Sequence, residues 1–194
     1  SPQNRKSLLM ASVVEISDTH RTIRLPIDEG VIAFRGLSPQ RHRFELEYAL
    51  ERGSTANSIF FEAGDGAPAV LVHPPGAAYR EAFLPAFAET VPASDVPLLV
   101  VVGHINPNRV SLLRDLGETY PRLELVVSKA GAKLIDELWD QRRPAPTGEE
   151  SEQPPLPPRP PLRVIRQEEI LPLSQGRSLL LLPAPTPRWP GGLL

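Results

Sequence analysis

The sequence contains no cysteine and no apolar run of 18 residues, and each absence excludes a class of protein. Without cysteine the chain forms no disulfide, no cysteine-ligated zinc or iron–sulfur site and no thiol nucleophile. A transmembrane helix needs about 20 apolar residues, so we expect no membrane insertion. The formal net charge is only −2, so we expect no general attraction to nucleic acid or to an anionic membrane surface.

Histidine is also scarce, which limits the metal and hydrolase chemistry open to the chain. The four histidines include no pair at a spacing of two or four residues, which argues against an ordinary zinc site. Ser54 and Ser58 have no histidine or aspartate at a recognised triad spacing, which argues against a serine hydrolase. We predict that His73, at the end of an apolar run, is a structural histidine with satisfied hydrogen bonds.

Proline, by contrast, is abundant, and its distribution predicts the domain organisation. There are 24 prolines, against about 5% in an average protein. Residues 143–162 hold many of them among glutamates, which predicts an extended insertion in a single domain over 12–190. The tract 154–161 has the proline-plus-basic pattern of a polyproline II ligand for SH3-type grooves, although such tracts are more often solvated spacers. We expect 1–11 to be disordered and 191–194 to be a truncated end.

Hydrophobic periodicity predicts an α/β fold for the rest of the chain. Residues 26–40 are predicted to be mostly loop, and 41–52 to be an edge strand or an irregular covering segment. Pro85 lies within one helical pattern, where it is expected to kink or divide the helix. The predicted strands and helices are 12–16, 20–25, 56–62, 69–73, 98–102, 123–128, 162–165, 170–173 and 178–182 for the strands, and 77–90, 110–117 and 129–142 for the helices.

The stretch Leu98–Arg114 carries the most informative polar residues. An apolar run predicts a buried strand, and it is followed by a polar turn and then by a helical pattern. Open α/β sheets place their chemistry at such a strand's carboxyl end. The polar residues of the turn are His104, Asn106, Asn108 and Arg109.

The spacing of these four residues resembles the metal loop His-x-Glu-x-Asp-His of flavodiiron proteins. Two further segments agree: Gly53–Ser58 is similar to that family's Gly-Thr-Thr-x-Asn-Ser, and Trp189-Pro190 to its Trp-Pro segment. The resemblance is to the photosynthetic, oxygen-reducing branch of the family. It implies a metallo-β-lactamase-like αββα sandwich, of which this chain carries apparently only the N-terminal half to two-thirds.

The same resemblance implies a function and partners. Intact relatives hold a diiron centre and FMN and reduce oxygen to water as a photoprotective electron sink. They form oligomers in which one subunit's metal domain faces another's flavodoxin domain, so we expect a homo- or hetero-oligomer with a related subunit. The implied location is the chloroplast stroma, or otherwise the cytoplasm. We expect no cofactor in this chain, which has no flavodoxin segment.

The family's metal-ligand positions are mostly substituted in this sequence. His104 is retained, whereas Asn106, Asn108 and Arg109 stand where the family has Glu, Asp and His. Neutral amides are poor iron ligands, and a guanidinium has only donors. These changes move the local charge about three units positive, which replaces the charge of a bound cation.

The remaining ligand positions lie further along the chain. Glu169 falls where the family has its metal-bridging aspartate, and we hypothesise that it forms an ion pair with Arg109. The family's third histidine has no counterpart within 137–141. The resemblance therefore predicts a metal-poor partner subunit in an oxygen-reducing assembly. The alternative is a catalytically inactive fold fragment that serves as a binding or assembly module.

Overall fold

The structure is a computed structural model. It describes the chain over residues 12–16, 19–39, 43–44, 48–49, 53–93, 96–141, 155–187 and 190–194. The predicted disorder of 1–11 and most of the proline-rich insertion lie outside these residues. Trp189 of the Trp-Pro segment also lies outside them.

Of the twelve strands in the described residues, eight form one large sheet and two form a hairpin that packs on it. The strands are β1 (Ser12–Ile16), β2 (Arg21–Asp28), β3 (Val31–Ser38), β4 (Arg43–Phe44), β5 (Tyr48–Ala49), β6 (Ser54–Phe61), β7 (Ala69–Val72), β8 (Leu98–Val101), β9 (Leu123–Ser128), β10 (Leu162–Ile165), β11 (Glu169–Pro172) and β12 (Ser178–Leu181). The two short strands β4 and β5 pair only with each other.

The large sheet has eight strands in the order β1-β2-β3-β6-β7-β8-β9-β10. Its first five strands are antiparallel, and β7, β8, β9 and β10 are parallel neighbours. Strands β11 and β12 form a separate antiparallel hairpin. The carboxyl ends of the parallel strands therefore meet at one edge of the sheet.

Three helices connect the parallel strands. A 3-10 turn (Ala77–Tyr79) leads into α1 (Arg80–Thr90), and α2 (Pro107–Thr119) and α3 (Lys129–Trp139) follow. Helix α1 is continuous through Pro85. Helix α2 starts at Asn106, whose side chain caps it, followed by a proline at the first helical position. Ser128 caps α3 in the same way. None of the helices in the described residues is long and apolar enough to span a membrane.

The sheet carries a separate hydrophobic core on each face. Alternation along β8 shows the division, because Leu98 and Val100 belong to one core while Leu99 and Val101 belong to the other. The first core lies against the helices and is rich in aromatic rings around Phe87. The second core lies under the β11–β12 hairpin, as expected for the start of a second sheet layer. Most predicted elements and the α/β class are confirmed.

Two predictions about individual elements are wrong. Residues 26–40 are mostly strand rather than loop, because β2 continues to Asp28 and turns through Gly30, at a φ of 70°, into β3. Val31 and Phe34 of β3 are buried. The predicted helix end at Gly117 is also wrong, since α2 continues to Thr119. A Cβ at Gly117 would lie 3.2 Å from the ring of Pro160, so this glycine makes room for the proline-rich segment.

The described part of the proline-rich segment, residues 155–161, is extended and packs on the helices. The Trp139 indole N–H donates to the Pro157 carbonyl over 3.0 Å, and Arg159 forms an ion pair with Asp136 at 3.1 Å. Pro160 is buried. An indole donor and a carboxylate thus hold residues 155–161 against α3, although several of these residues are exposed.

Candidate functional site

A cleft of about 630 Å³ opens at the carboxyl edge of the parallel strands. Its walls come from the start of β6, from the turns after β7 and β8, and from the C-terminal residues. Four of the five residues predicted as metal-ligand positions line it: His104, Asn106, Asn108 and Arg109. These four residues therefore lie together in one cleft, at the carboxyl end of a buried strand.

Asn106 organises the turn between β8 and α2. Its side-chain oxygen accepts the backbone N–H of Arg109 over 2.8 Å, which caps the helix. Its amide nitrogen lies 3.1 Å from His104 Nε2. Because an amide nitrogen only donates, Nε2 accepts this bond and the proton lies on Nδ1. The asparagine thus makes two hydrogen bonds with groups of its own turn, and its amide nitrogen occupies the Nε2 lone pair that a metal would use.

Arg109 connects the two turns that flank the cleft. Its Nε donates to the Pro74 carbonyl over 2.7 Å, and its Nη1 donates to the His104 carbonyl over 2.6 Å. Burial lowers the pKa of the Arg109 guanidinium below its ordinary value, although the group stays charged at neutral pH. A fixed positive charge therefore lies among the family's ligand positions.

His73 is part of this site, although the sequence indicates only a structural histidine. It follows β7 in a left-handed conformation, with a φ of 56°. Its Nδ1 accepts the Gly103 N–H over 3.3 Å, and its carbonyl accepts the Ser58 hydroxyl over 2.7 Å. Burial lowers the pKa of His73, and the electrostatic influence of Arg109 and then of His104 lowers it further. The structural interpretation of His73 is correct, and its place beside Arg109 is new.

Glu169 does not join the site. It lies at the start of β11, where its carboxylate forms an ion pair with Arg163 of β10. The hypothesis of an Arg109–Glu169 ion pair is therefore wrong. Glu169 pairs with Arg163 instead, and Arg109 donates to backbone carbonyls.

The C-terminal residues 190–194, which we name the C-terminal strap, form one wall of the cleft. The strap runs antiparallel to 182–184 through hydrogen bonds at Leu182 and Ala184. The Ser128 hydroxyl donates to the Gly191 carbonyl over 3.0 Å, and the Leu193 N–H donates to the Gly103 carbonyl over 3.4 Å. The sequence predicts no structure for 191–194, whereas the structure places these residues against the site.

A diiron centre does not fit the donors present. Among the described residues there is no group of three His, Asp or Glu side chains that could hold a metal ion. The cleft offers imidazole from His104 and amides from Asn106 and Asn108, while Arg109 adds a positive charge. Iron requires anionic or imidazole donors, and a guanidinium beside them opposes a second cation.

Comparison with known proteins identifies the family. The chain is 33% identical over 170 residues to the putative diflavin flavoprotein A 4 of Nostoc sp. and 34% identical over 165 residues to the putative diflavin flavoprotein A 6 of the same organism. These alignments cover 86% and 85% of the chain. The chain is a homologue of the diflavin flavoprotein A, or flavodiiron, proteins. It spans about a quarter of the length of these relatives, 26% and 25%. No family model matches the sequence.

Solved structures confirm the fold. The metal-soaked Flv1 flavodiiron core of Synechocystis sp. superposes with a TM-score of 0.74 at 27% identity, over 90% of this chain and 39% of that one. A fragment of the putative diflavin flavoprotein A 5 of Nostoc sp. gives 0.71 at 31% identity, over 89% of this chain and 60% of the other. The chain thus has the metallo-β-lactamase-like fold of a flavodiiron core, in part, as its sequence predicts.

We expect His73 to make the stability of this flavodiiron core depend on pH. Because the pKa of His73 is lowered on folding from the ordinary 6.5, the unfolded chain binds more protons below that pH. The free energy of unfolding should therefore fall as the pH drops below about 6.5 and continue to fall until the folded pKa is passed. His73→Asn keeps an acceptor and tolerates the left-handed backbone, so it should change stability by less than about 1 kcal/mol at pH 7.5.

Urea unfolding of both chains at pH 7.5 and pH 5.0 checks this prediction. The His73→Asn chain should lose less stability between the two pH values than the original chain does. Equal losses in both chains would assign the acid sensitivity to other groups. His20→Asn, which changes a half-buried histidine at the residue before β2, serves as the histidine control.

Proposed function

We propose that this chain is a metal-poor flavodiiron core that acts as a partner subunit in an oxygen-reducing assembly. One observation carries the proposal: Arg109 lies at a family ligand position and donates to the Pro74 and His104 carbonyls. A charge held by hydrogen bonds to two turns supplies locally what a bound cation would supply. The proposed location is the chloroplast stroma, consistent with homologues from cyanobacteria.

Further support comes from the turn that carries the remaining ligand positions. Asn106 is committed to capping α2 and to His104, and a carboxylate at that position would be needed to bind iron. The helix cap, the His104 Nε2 atom, and the Nε and Nη1 atoms of Arg109 thus all bond to uncharged side chains or to the backbone. We infer that the turn keeps the shape of a flavodiiron metal loop while its chemistry has changed from coordination to hydrogen bonding.

Iron content tests the proposal. After anaerobic incubation with Fe(II) and desalting, we expect fewer than about 0.2 iron atoms per chain, because the donors cannot coordinate iron. The matched variant Asn106→Glu/Asn108→Asp/Arg109→His restores the family pattern on the same fold. It should retain several times more iron than the original chain. Close to two iron atoms in the original chain would refute the proposal, and an equally iron-free variant would show that other positions decide the metal content.

A second assay separates the partner role from the alternative of an inactive binding or assembly module. The chain is co-purified with an iron-loaded flavodiiron subunit, and oxygen consumption is measured with and without it. A partner subunit in oxygen reduction should change the rate per iron atom. An assembly module should co-purify and leave that rate unchanged.

A further inference from the structure

The charge of the cleft is one-sided. Arg109 is the charged side chain of its lining, and no aspartate or glutamate is present among the described residues that line it. Helix α2 begins at the same place, so its amino-terminal dipole adds to the positive potential. Arg109 forms no ion pair with an aspartate or glutamate of the described residues, and an anion from outside would offset the cost of burying its charge.

Part of the hydrogen-bonding capacity in the cleft is unused. Nε and Nη1 of Arg109 donate to carbonyls, while Nη2 has no acceptor within the described part of the chain. Two of the three guanidinium nitrogens are thus bonded to the chain, and the third can donate to an acceptor that the chain does not supply.

The rest of the lining is largely apolar. Side chains that could contact a hydrocarbon body are Ala56, Ala78, Tyr79, Leu193 and Leu194. A volume of about 630 Å³ is in the range of pockets that hold small organic molecules. A cationic end and an apolar wall in one cleft suit a ligand with a charged end and an apolar body better than a hydrated inorganic ion.

We propose that the cleft binds a small organic carboxylate, with its charged end at Arg109 and its apolar body against Tyr79 and the C-terminal strap. A carboxylate oxygen accepts from the free Nη2 of Arg109. The ligand thereby supplies the negative charge that the lining lacks. This inference rests on the proposed absence of iron from the cleft and adds a ligand to it.

Benzoate and benzamide test the inference, because they share a shape and differ in charge. Calorimetric titration of the metal-free chain in the presence of a chelator should show benzoate binding at least about tenfold more tightly than benzamide. Acetate, which lacks the apolar body, should bind more weakly than benzoate. Equal affinities for benzoate and benzamide, or no benzoate binding up to about 10 mM, would overturn the inference.

Two variants locate the binding. Arg109→Gln should reduce benzoate affinity to that of benzamide. Ala78→Phe fills the apolar side of the cleft at an exposed position and keeps the Arg109 side chain, and it should weaken benzoate and benzamide alike by about tenfold or more. Arg35→Gln removes an equal charge from an exposed position on β3 that is not in the lining, and it should have no effect. If Arg109→Gln unfolds, Ala78→Phe still decides, because unchanged benzoate binding would place the ligand elsewhere.

Failure of this inference is distinguishable from failure of the proposed function. Iron analysis after Fe(II) incubation reports metal content and is independent of benzoate. Benzoate titration in the presence of a chelator reports ligand binding at the Arg109 guanidinium and the apolar wall. If the chain is iron-free and does not bind benzoate, only the carboxylate site is refuted. If the chain binds two iron atoms, the proposed function is refuted.

Discussion

Replacing Phe87 with alanine is expected to lower the free energy of unfolding by about 3–5 kcal/mol. Phe87 is fully buried, and its ring contacts four others: Phe34, Phe60, Phe83 and Tyr120 at centroid distances of 5.5 to 5.6 Å. The substitution removes burial of a large apolar surface and leaves a cavity among residues from a helix and two strands. Urea unfolding followed by circular dichroism measures the loss.

Two comparisons show whether the loss comes from packing. Phe87→Leu keeps most of the volume and should lose less than half as much stability as Phe87→Ala. Ile27→Ala removes an apolar side chain that is 57% exposed, and it should change stability by less than about 0.5 kcal/mol. A small loss for Phe87→Ala would mean that the core collapses around the gap, contrary to the ring contacts described above.

Replacing Gly103 with alanine is expected to cost about 3 kcal/mol and to displace the C-terminal strap. A Cβ at this position would lie 2.0 Å from His73 Cε1 and 2.4 Å from the Leu193 carbonyl oxygen. One neighbour is an imidazole held by a hydrogen bond and the other is backbone, so neither yields easily. Thermal and urea unfolding measure the loss, and hydrogen exchange at the amides of Leu193 and Leu194 reports the strap.

Gly76→Ala is the matched control, because it adds the same methyl group to the neighbouring turn. The nearest atom to a Cβ at Gly76 is the Asn108 Cβ at 3.6 Å, which is ordinary contact, and its φ of −80° suits alanine. We expect a change within about 0.5 kcal/mol. Equal losses of stability for Gly103→Ala and Gly76→Ala would mean that the change in backbone entropy of the turn, and not steric crowding, causes the loss.

The sequence predicts those elements whose pattern is local. Strand β9 and strand β10 have the predicted bounds because continuous apolar runs end at polar turns. Strand β3 lies where the sequence predicts mostly loop, because pairing with β2 and β6 fixes it as a strand. Tertiary pairing of this kind has no signature in a single segment.

At the site, the sequence predicts where the polar residues lie better than it predicts which groups they bond to. The turn at His104–Arg109 follows from strand and helix periodicity together with family spacing. The hydrogen bond from Arg109 to Pro74 joins residues 35 apart, and the strap reaches Gly103 from the far end of the chain, so neither follows from local pattern. The two prolines that follow His73 are typical of a turn, and this pattern is the sequence signal that could have placed His73 at the site.

The order of the sheet has a consequence for how the protein forms during synthesis. Strands from β1 to β10 lie side by side in the sequence in which the ribosome makes them, apart from the short β4–β5 pair. Each strand of the sheet can therefore add to an edge that already exists. Among the described residues, the face formed by Val70, Leu99 and Val101 is covered by β11, β12 and the strap, which are made after the sheet. A nascent chain synthesised only as far as β10 would expose this apolar surface, and chaperone binding should be strongest at that stage.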